Sequence, residues 1–454
     1  MSSPSTLAVG RRLRSAWERC EAAGTALMAR PVVSSFLVPT LIAIVATALA
    51  WGRLGEVSRQ TMWAEDAALF SQRAVDPDRL SYGVFTAYAG YTQFAPQLLA
   101  VAIWQLVPID HIATAVTLAA CACAGAIAAG VYVLTAGWSL HRSGRVLLAL
   151  VTVLSPGLAF EALGNLANLH WFFLWLSPFL FLFRPRRWPS ALVLAAVGFV
   201  AVTTEIQAVL FAPLLLRGIR DRRRWPLVAA VFAGACLQAA AFLNDQGTRG
   251  GGAPSWRSVV FGYFLQVPLV ALTGSGEAAS GIVGYSGWSF ALLAVVPFLI
   301  CGVWFGWRSR PRAVLVSLFL GASVVLWCTG LAVNYFPVYA YADMTKAELQ
   351  SGVGLLRYAT VPIMFLFAAA VLAAARVRRP RPTAPAVAVL VLLVGLLAVS
   401  YDVPGHAPRE AGPTWSSTLS EARALCAGDP DGSTQLGAAP AGWSVTVPCD
   451  RILG

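Results

Sequence analysis

Many runs of about 16–24 apolar residues, separated by short arginine-rich breaks, fill this chain. Runs of that length and continuity read as membrane-spanning helices. A membrane β-barrel would show alternation instead. The chain is 58% hydrophobic and 12% charged, where a soluble domain carries about 25% charge. Only residues 402–454 are polar enough to form a water-exposed unit of any size.

Candidate spans cover 32–51, 112–135, 146–163, 168–183, 189–203, 204–218, 225–243, 288–307, 313–333, 357–375 and 385–401. Arginine-rich breaks fall at 11–30, 142–145, 184–187, 217–224, 308–312 and 376–381. Placing all six on the cytoplasmic side fixes how many crossings separate them. Residues 91–107, weakened by Gln93, Pro96, Gln97 and Gln105, then do not cross, and 257–273 is re-entrant or interfacial. Residues 189–218 have arginines at both ends and Thr203-Thr204-Glu205 in the middle. They read as a hairpin of two short helices with Glu205 at the outer apex.

The expected fold class is an all-α polytopic membrane helix bundle of about 11 transmembrane helices. Its N-terminus is inside, and a small extracytoplasmic tail domain closes it. Residues 1–31 form a cytoplasmic amphipathic N-terminus and not a cleavable signal peptide. Residues 32–401 form the bundle, with outer loops 53–111, 244–287 and 334–356. Residues 402–454 form the tail.

The net charge of +12 does not point to nucleic acid, because the arginines sit beside apolar spans. Lys346 is the one lysine. Of eight cysteines, Cys121, Cys123, Cys236, Cys301 and Cys328 lie in apolar runs and read as inert small hydrophobes. Cys426 and Cys449 lie in the polar tail and can pair as a disulfide if that tail is outside. No cysteine spacing matches a zinc site.

The candidate functional residues gather on the expected outer face. Glu65 and Asp66 follow the first span, in Trp63-Ala64-Glu65-Asp66. A carboxylate can take a proton from a hydroxyl or hold a divalent cation against a phosphate; the same pair would also serve as an N-cap for a helix over 67–74. Glu161, Asn165, Asn168 and His170 interrupt two apolar runs. They read as a binding cluster or as a capped turn with interfacial anchors. Glu205 is an acid within an apolar stretch, costly unless paired or facing water. The loop around Tyr339, Tyr341, Asp343, Lys346 and Glu348 leads to Arg357. An arginine opening a span from the outer side runs against the usual charge bias, and a phosphate ligand or a loop acid would account for it. No nucleotide-binding loop or catalytic triad is visible.

This pattern resembles the GT-C superfamily of integral-membrane glycosyltransferases. Trp63-Ala64-Glu65-Asp66 falls in the first outer loop, where that family carries its catalytic acid. Tyr88-Ala89-Gly90-Tyr91 and Pro96-Gln97-Leu98-Leu99 look like the passage back to the membrane. The hairpin at Thr203-Thr204-Glu205 is also similar, and the tail Pro440-Ala441-Gly442-Trp443-Ser444-Val445-Thr446-Val447-Pro448-Cys449 looks like the endings of actinobacterial proteins of this type. The family's larger C-terminal soluble domain is reduced here.

The resemblance implies a multi-pass enzyme of the plasma (inner) membrane with an extracytoplasmic active face. It implies a polyprenyl-phosphate-linked sugar donor among membrane lipids, and an envelope glycan or lipid acceptor. Glu65 or Asp66 would be the base. Arg357, with His170, would neutralise the departing phosphate, and Glu161, Asn165, Asn168, Glu205 and Lys346 would line the substrate site. A divalent cation is an open question. A flippase or transporter of a lipid-linked sugar, and a glycan polymerase or ligase, are the alternatives. A transporter would distribute polar residues through its spans, whereas here they gather at one face.

Overall fold

The computed structural model describes residues 36–76, 85–138, 140–244, 254–306, 310–354, 357–375, 384–401 and 407–454. The amphipathic N-terminus expected over 1–31 and the arginine clusters at 11–30 and 376–381 lie outside the described residues.

The apolar runs form helices, as continuous runs must where water cannot satisfy the backbone. The main ones are α1 (Val38–Gly52), α2 (Phe94–Leu106), α3 (Ile112–Leu134), α4 (Arg142–Leu154), α5 (Leu169–Leu182), α6 (Trp188–Thr204) and α7 (Trp225–Asn244). They continue as α8 (Trp256–Phe264), α9 (Gly276–Ser286), α10 (Val296–Gly306), α11 (Arg310–Val333), α12 (Thr360–Ala374) and α13 (Ala384–Val399). Among the described residues, five helical segments are long and apolar enough to cross a membrane: Ile109–Gly137, Arg222–Asn244, Trp256–Thr273, Pro311–Val333 and Arg357–Ala374. The helical bundle of a membrane protein is therefore plain. Helix α12 lies at its centre, buried along its whole length.

Two segments depart from expectation. Trp256–Thr273 is a helical run, with a π turn over Leu265–Leu269 at Pro268; by length and composition it can cross, so the re-entrant reading is not required. The candidate span 146–163 is not a helix throughout. Helix α4 stops at Leu154, before Ser155-Pro156-Gly157. Proline lacks an N–H and disfavours helical geometry in the residue before it, and Gly157 turns the chain at φ 74°. Leu158, Ala159, Ala162 and Leu163 are buried in an irregular loop instead, with Phe160 half-buried among them.

Residues 189–218 do fold back on themselves. Helix α6 ends at Glu205, and Ile206–Leu216 returns as a 3₁₀ helix of 11 residues. At a rise of about 2.0 Å per residue that return spans about 22 Å, longer than an α-helix of the same residues. Arg224 Nη1 and Nη2 donate to the carbonyls of Arg217 and Phe181, tying both basic ends together.

The tail carries helix α14 (Trp415–Gly428) and an antiparallel hairpin of β1 (Ser433–Ala438) and β2 (Trp443–Pro448). The bundle is helical as expected, and the tail adds a two-stranded sheet to it. Leu436 and Ala438 on β1 and Val445 and Val447 on β2 alternate inward, with Leu436 directly opposite Val445, the period-2 pattern of a half-buried strand. The Cys426–Cys449 disulfide is present, with Cα atoms 5.3 Å apart. The tail docks on the loop between α1 and α2. Ala439 N–H donates to Met62 O at 2.9 Å, and Gln72 exchanges hydrogen bonds with Thr446. Trp415 donates to Ile109 O at 2.6 Å.

Candidate functional site

The site lies where chain ends meet. Glu65 sits in the loop before α2, Glu161 before α5, Glu205 after α6, and Arg357 just before α12. The alternating direction of these helices brings all four to one end of the bundle, opposite the Arg217–Arg224 end.

Arg357 is the centre of the cluster. Its Nη1 lies 3.1 Å from Glu161 Oε1 and 3.6 Å from Glu65 Oε1. The three side chains are 33%, 18% and 12% exposed respectively, so the cluster reaches solvent but is largely desolvated. Burial pushes the Glu161 carboxyl above its ordinary value, and Arg357 pulls it back down. Glu65 Oε2 is buried with no hydrogen-bond partner among the described residues, an expensive condition for a charged oxygen.

Asp66 has a different place from its neighbour. It is buried, and its Oδ2 and Oδ1 accept the N–H groups of Leu166 and Ala167 at 3.0 and 2.8 Å. Burial pushes its pKa up to about 7, against those two N–H groups and the Arg409 guanidinium. The two candidate acids thus stand in different surroundings. Both Asp66 oxygens hold backbone, and Glu65 faces the arginine.

The irregular loop 155–168 can be buried only if its backbone groups find partners. Asp66 takes two N–H groups. Arg409, a buried residue of the tail, donates to Gly164 O at 2.7 Å, Thr61 O at 2.7 Å and Thr117 Oγ1 at 3.0 Å. Asn165 and Asn168 donate to Glu161 O, and Asn165 Oδ1 accepts Asn168 N–H. These two asparagines are buried and build the turn that carries Glu161.

His170 and Glu205 form a second pair. His170 Nδ1 bonds Glu205 Oε2, and Glu205 Oε1 accepts Gln207 N–H at 2.7 Å. The Tyr91 ring lies 6.4 Å from that of His170. Burial first, then the charge of Glu205, raises the Tyr91 hydroxyl, and the same hydroxyl feels Arg357 and Glu65. The Tyr91 hydroxyl therefore feels the charges of both clusters. Lys346 is not brought in. It is exposed in the short helix Lys346–Gln350 and makes no ion pair among the described residues.

A cavity of about 550 Å³ opens beside Glu161. Phe160, Glu161, Tyr339, Asp343, Glu348 and Gly354 form part of its wall. The two carboxylates at the cluster have a guanidinium between them, and no group of three or more His, Cys, Asp or Glu side chains that could hold a metal occurs among the described residues.

Sequence reasoning missed Arg409 and Tyr91. Arg409 carried a usable signal, since it is an arginine on the expected outer side, the anomaly that singled out Arg357. The site thus belongs to an apolar helical membrane protein with an acid–arginine cluster at one end of its bundle. No protein-family model matches the chain, and none of the curated proteins matches it.

Proposed function

We propose that this protein is a membrane glycosyltransferase of the GT-C type. It moves a sugar from a polyprenyl-phosphate donor to an envelope glycan or lipid on the extracytoplasmic face of the plasma membrane. One observation carries the reading. Arg357 lies within 3.6 Å of two carboxylates drawn from distant parts of the chain, beside a cavity at the end of an apolar bundle.

In this mechanism Glu65 takes the proton of the acceptor hydroxyl. The freed oxygen forms a bond to the anomeric carbon, and the bond from that carbon to the phosphate oxygen breaks. The electron pair leaves with the lipid phosphate, which Arg357 binds. An arginine suits that step because its planar fork matches phosphate oxygens. As Arg357 turns to the phosphate, the Glu161 carboxyl loses its neutralising partner and holds a proton more readily. Asp66, Asn165, Asn168 and Arg409 fix the loop on which Glu161 rides. The His170–Glu205 pair lies next to Tyr91.

The test is transfer by the full-length protein in proteoliposomes supplied with a panel of polyprenyl-phosphate sugars and an envelope glycan extract. Glu65→Gln is expected to lower transfer by about 10²–10⁴-fold, the usual contribution of a general base, with unfolding temperature unchanged. Transfer at the wild-type rate in Glu65→Gln overturns the mechanism.

A further inference from the structure

The cavity beside Glu161 has a wall of one chemical kind. Glu161, Asp343 and Glu348 contribute carboxylates, and among the described residues no arginine, lysine or histidine lines it. Glu348 stays ionised, because Thr345 donates to it from both backbone and hydroxyl and holds its carboxyl below the ordinary value. Asp343 closes a short 3₁₀ turn, Tyr341–Asp343, and is exposed. The aromatic walls are Phe160, whose ring tip would lie 3.5 Å from a Cβ on Gly354, and Tyr339. The Tyr339 ring is half-buried, and its hydroxyl feels the charges of Arg357 and Glu161. The remaining wall is largely aliphatic and backbone, from Pro337 to Met344 and from Gly352 to Gly354.

This composition selects its ligand. An anion entering here meets Asp343 and Glu348, while the charge of Glu161 is offset by Arg357 3.1 Å away, and a cleft focuses the field of the two carboxylates. Ionised carboxylates are acceptors only, so they call for donors, and sugar hydroxyls supply them. Flat aromatic faces bury the C–H side of a sugar ring. The volume falls in the range of about 300–1,000 Å³ typical of ligand sites. Arg357 is not among the described residues of this wall and pairs with Glu161 at its edge.

We propose that this cavity binds a neutral, hydroxyl-rich glycan and excludes phosphorylated ones. Under the transferase reading above, on which only this assignment of role rests, it is the acceptor subsite, and the anionic donor is confined to the Arg357 side. Glu161 then marks the border between the two, with one face to the glycan and one to the guanidinium.

The experiment is equilibrium binding to the full chain in neutral-lipid nanodiscs, read by intrinsic tryptophan fluorescence. The probes are neutral oligosaccharides of mannose, galactose, glucose and arabinose, each beside a phosphorylated counterpart. At least one neutral probe is expected to bind, and its phosphorylated counterpart about tenfold or more weakly, as repulsion by nearby carboxylates requires. Tyr339→Ala weakens the neutral probe about three- to tenfold, while Tyr339→Phe keeps it, because the ring supplies the contact. Asp343→Asn with Glu348→Gln narrows the gap between neutral and phosphorylated probes; glutamine still fits the helix cap at 348. Binding by no neutral probe, equal or tighter binding of the phosphorylated one, or an unchanged affinity in Tyr339→Ala overturns the proposal. The two readings fail separately. Persistent transfer in Glu65→Gln leaves the binding pattern standing as a glycan site without that chemistry. Loss of transfer in Glu65→Gln, with binding indifferent to Tyr339, Asp343 and Glu348, leaves the transferase and removes the subsite.

Discussion

Arg409 Nη1 donates to the carbonyl oxygen of Gly164 at 2.7 Å across 245 residues of chain. The same guanidinium reaches Thr61 O, four positions before Glu65. One tail side chain therefore ties the loop bearing Glu65 to the loop bearing Glu161. The tail is a structural part of the candidate site.

Removing that guanidinium should loosen both loops together. Arg409→Met leaves the carbonyls of Thr61 and Gly164 buried and unpaired, at about 1–3 kcal/mol each. The unfolding temperature in detergent is expected to fall clearly, and hydrogen exchange at 61–66 and 163–168 to rise more than in α12. Exchange unchanged in both loops would show that the tail does not brace them.

Asp66→Asn is a conservative change in shape and a harsh one in hydrogen bonding. One carboxylate oxygen becomes an NH₂ facing a backbone N–H, Leu166 or Ala167, so the variant should lose about 1–3 kcal/mol. The pH dependence has a definite sign. Burial raises Asp66 from its ordinary value to about 7, so its stabilising share is full below about pH 4 and is lost as pH rises through about 7. Across that window the wild type should lose stability relative to Asp66→Asn, by up to about 1.4 kcal/mol per pH unit. A stability difference flat from pH 4 to 8 would mean that Asp66 ionises at its ordinary value.

Much of the architecture was legible in the sequence because it follows from solvent. Continuous apolar runs have to be helices, and arginines at both ends of 189–218 required a fold back near Glu205. The pairing of Cys426 with Cys449 followed from two cysteines in one polar tail. Three things were not legible. Pro156 cut a span short, and hydropathy alone does not see a missing N–H. The β-hairpin was written in the alternation of Leu436, Ala438, Val445 and Val447, a short pattern that the helical bulk overshadowed. The difference between Glu65 and Asp66 depends on which one meets backbone at 166 and 167, a contact across 100 residues that no local pattern encodes.

The disulfide should matter to the tail more than to the bundle. It spans 23 positions and closes α14 onto the end of β2. Links of this size contribute about 2–4 kcal/mol, chiefly through the unfolded state. Cys426→Ser with Cys449→Ser is expected to make residues 407–454 the first part cut by added protease, with the helical circular dichroism of the bundle retained. If the tail resists protease equally in both forms, its docking through Trp415, Gln72 and Ala439 suffices to hold it.

The acid–arginine cluster makes a prediction of its own about pH. Burial raises Glu161, Glu65 raises it further, and Arg357 opposes both. In Arg357→Gln the opposing charge is gone, so the Glu161 carboxyl should titrate higher still. Glu161 and the base Glu65 share the Arg357 guanidinium, so ionisation of Glu161 shows in the acid limb of the transfer profile. The acid limb of the transfer profile should therefore move to higher pH in Arg357→Gln. Arg357→Lys keeps a charge but not the planar fork, so its limb should lie between wild type and Arg357→Gln while its maximal rate stays depressed. Glu161→Gln with Arg357→Gln removes the titrating group and should abolish the difference in limb position without restoring the rate. These profiles separate two roles for Arg357, holding down the pKa of Glu161 and binding phosphate. An acid limb at the same pH in wild type and Arg357→Gln would mean that the 3.1 Å contact between Arg357 and Glu161 has no part in setting the proton affinity of the site.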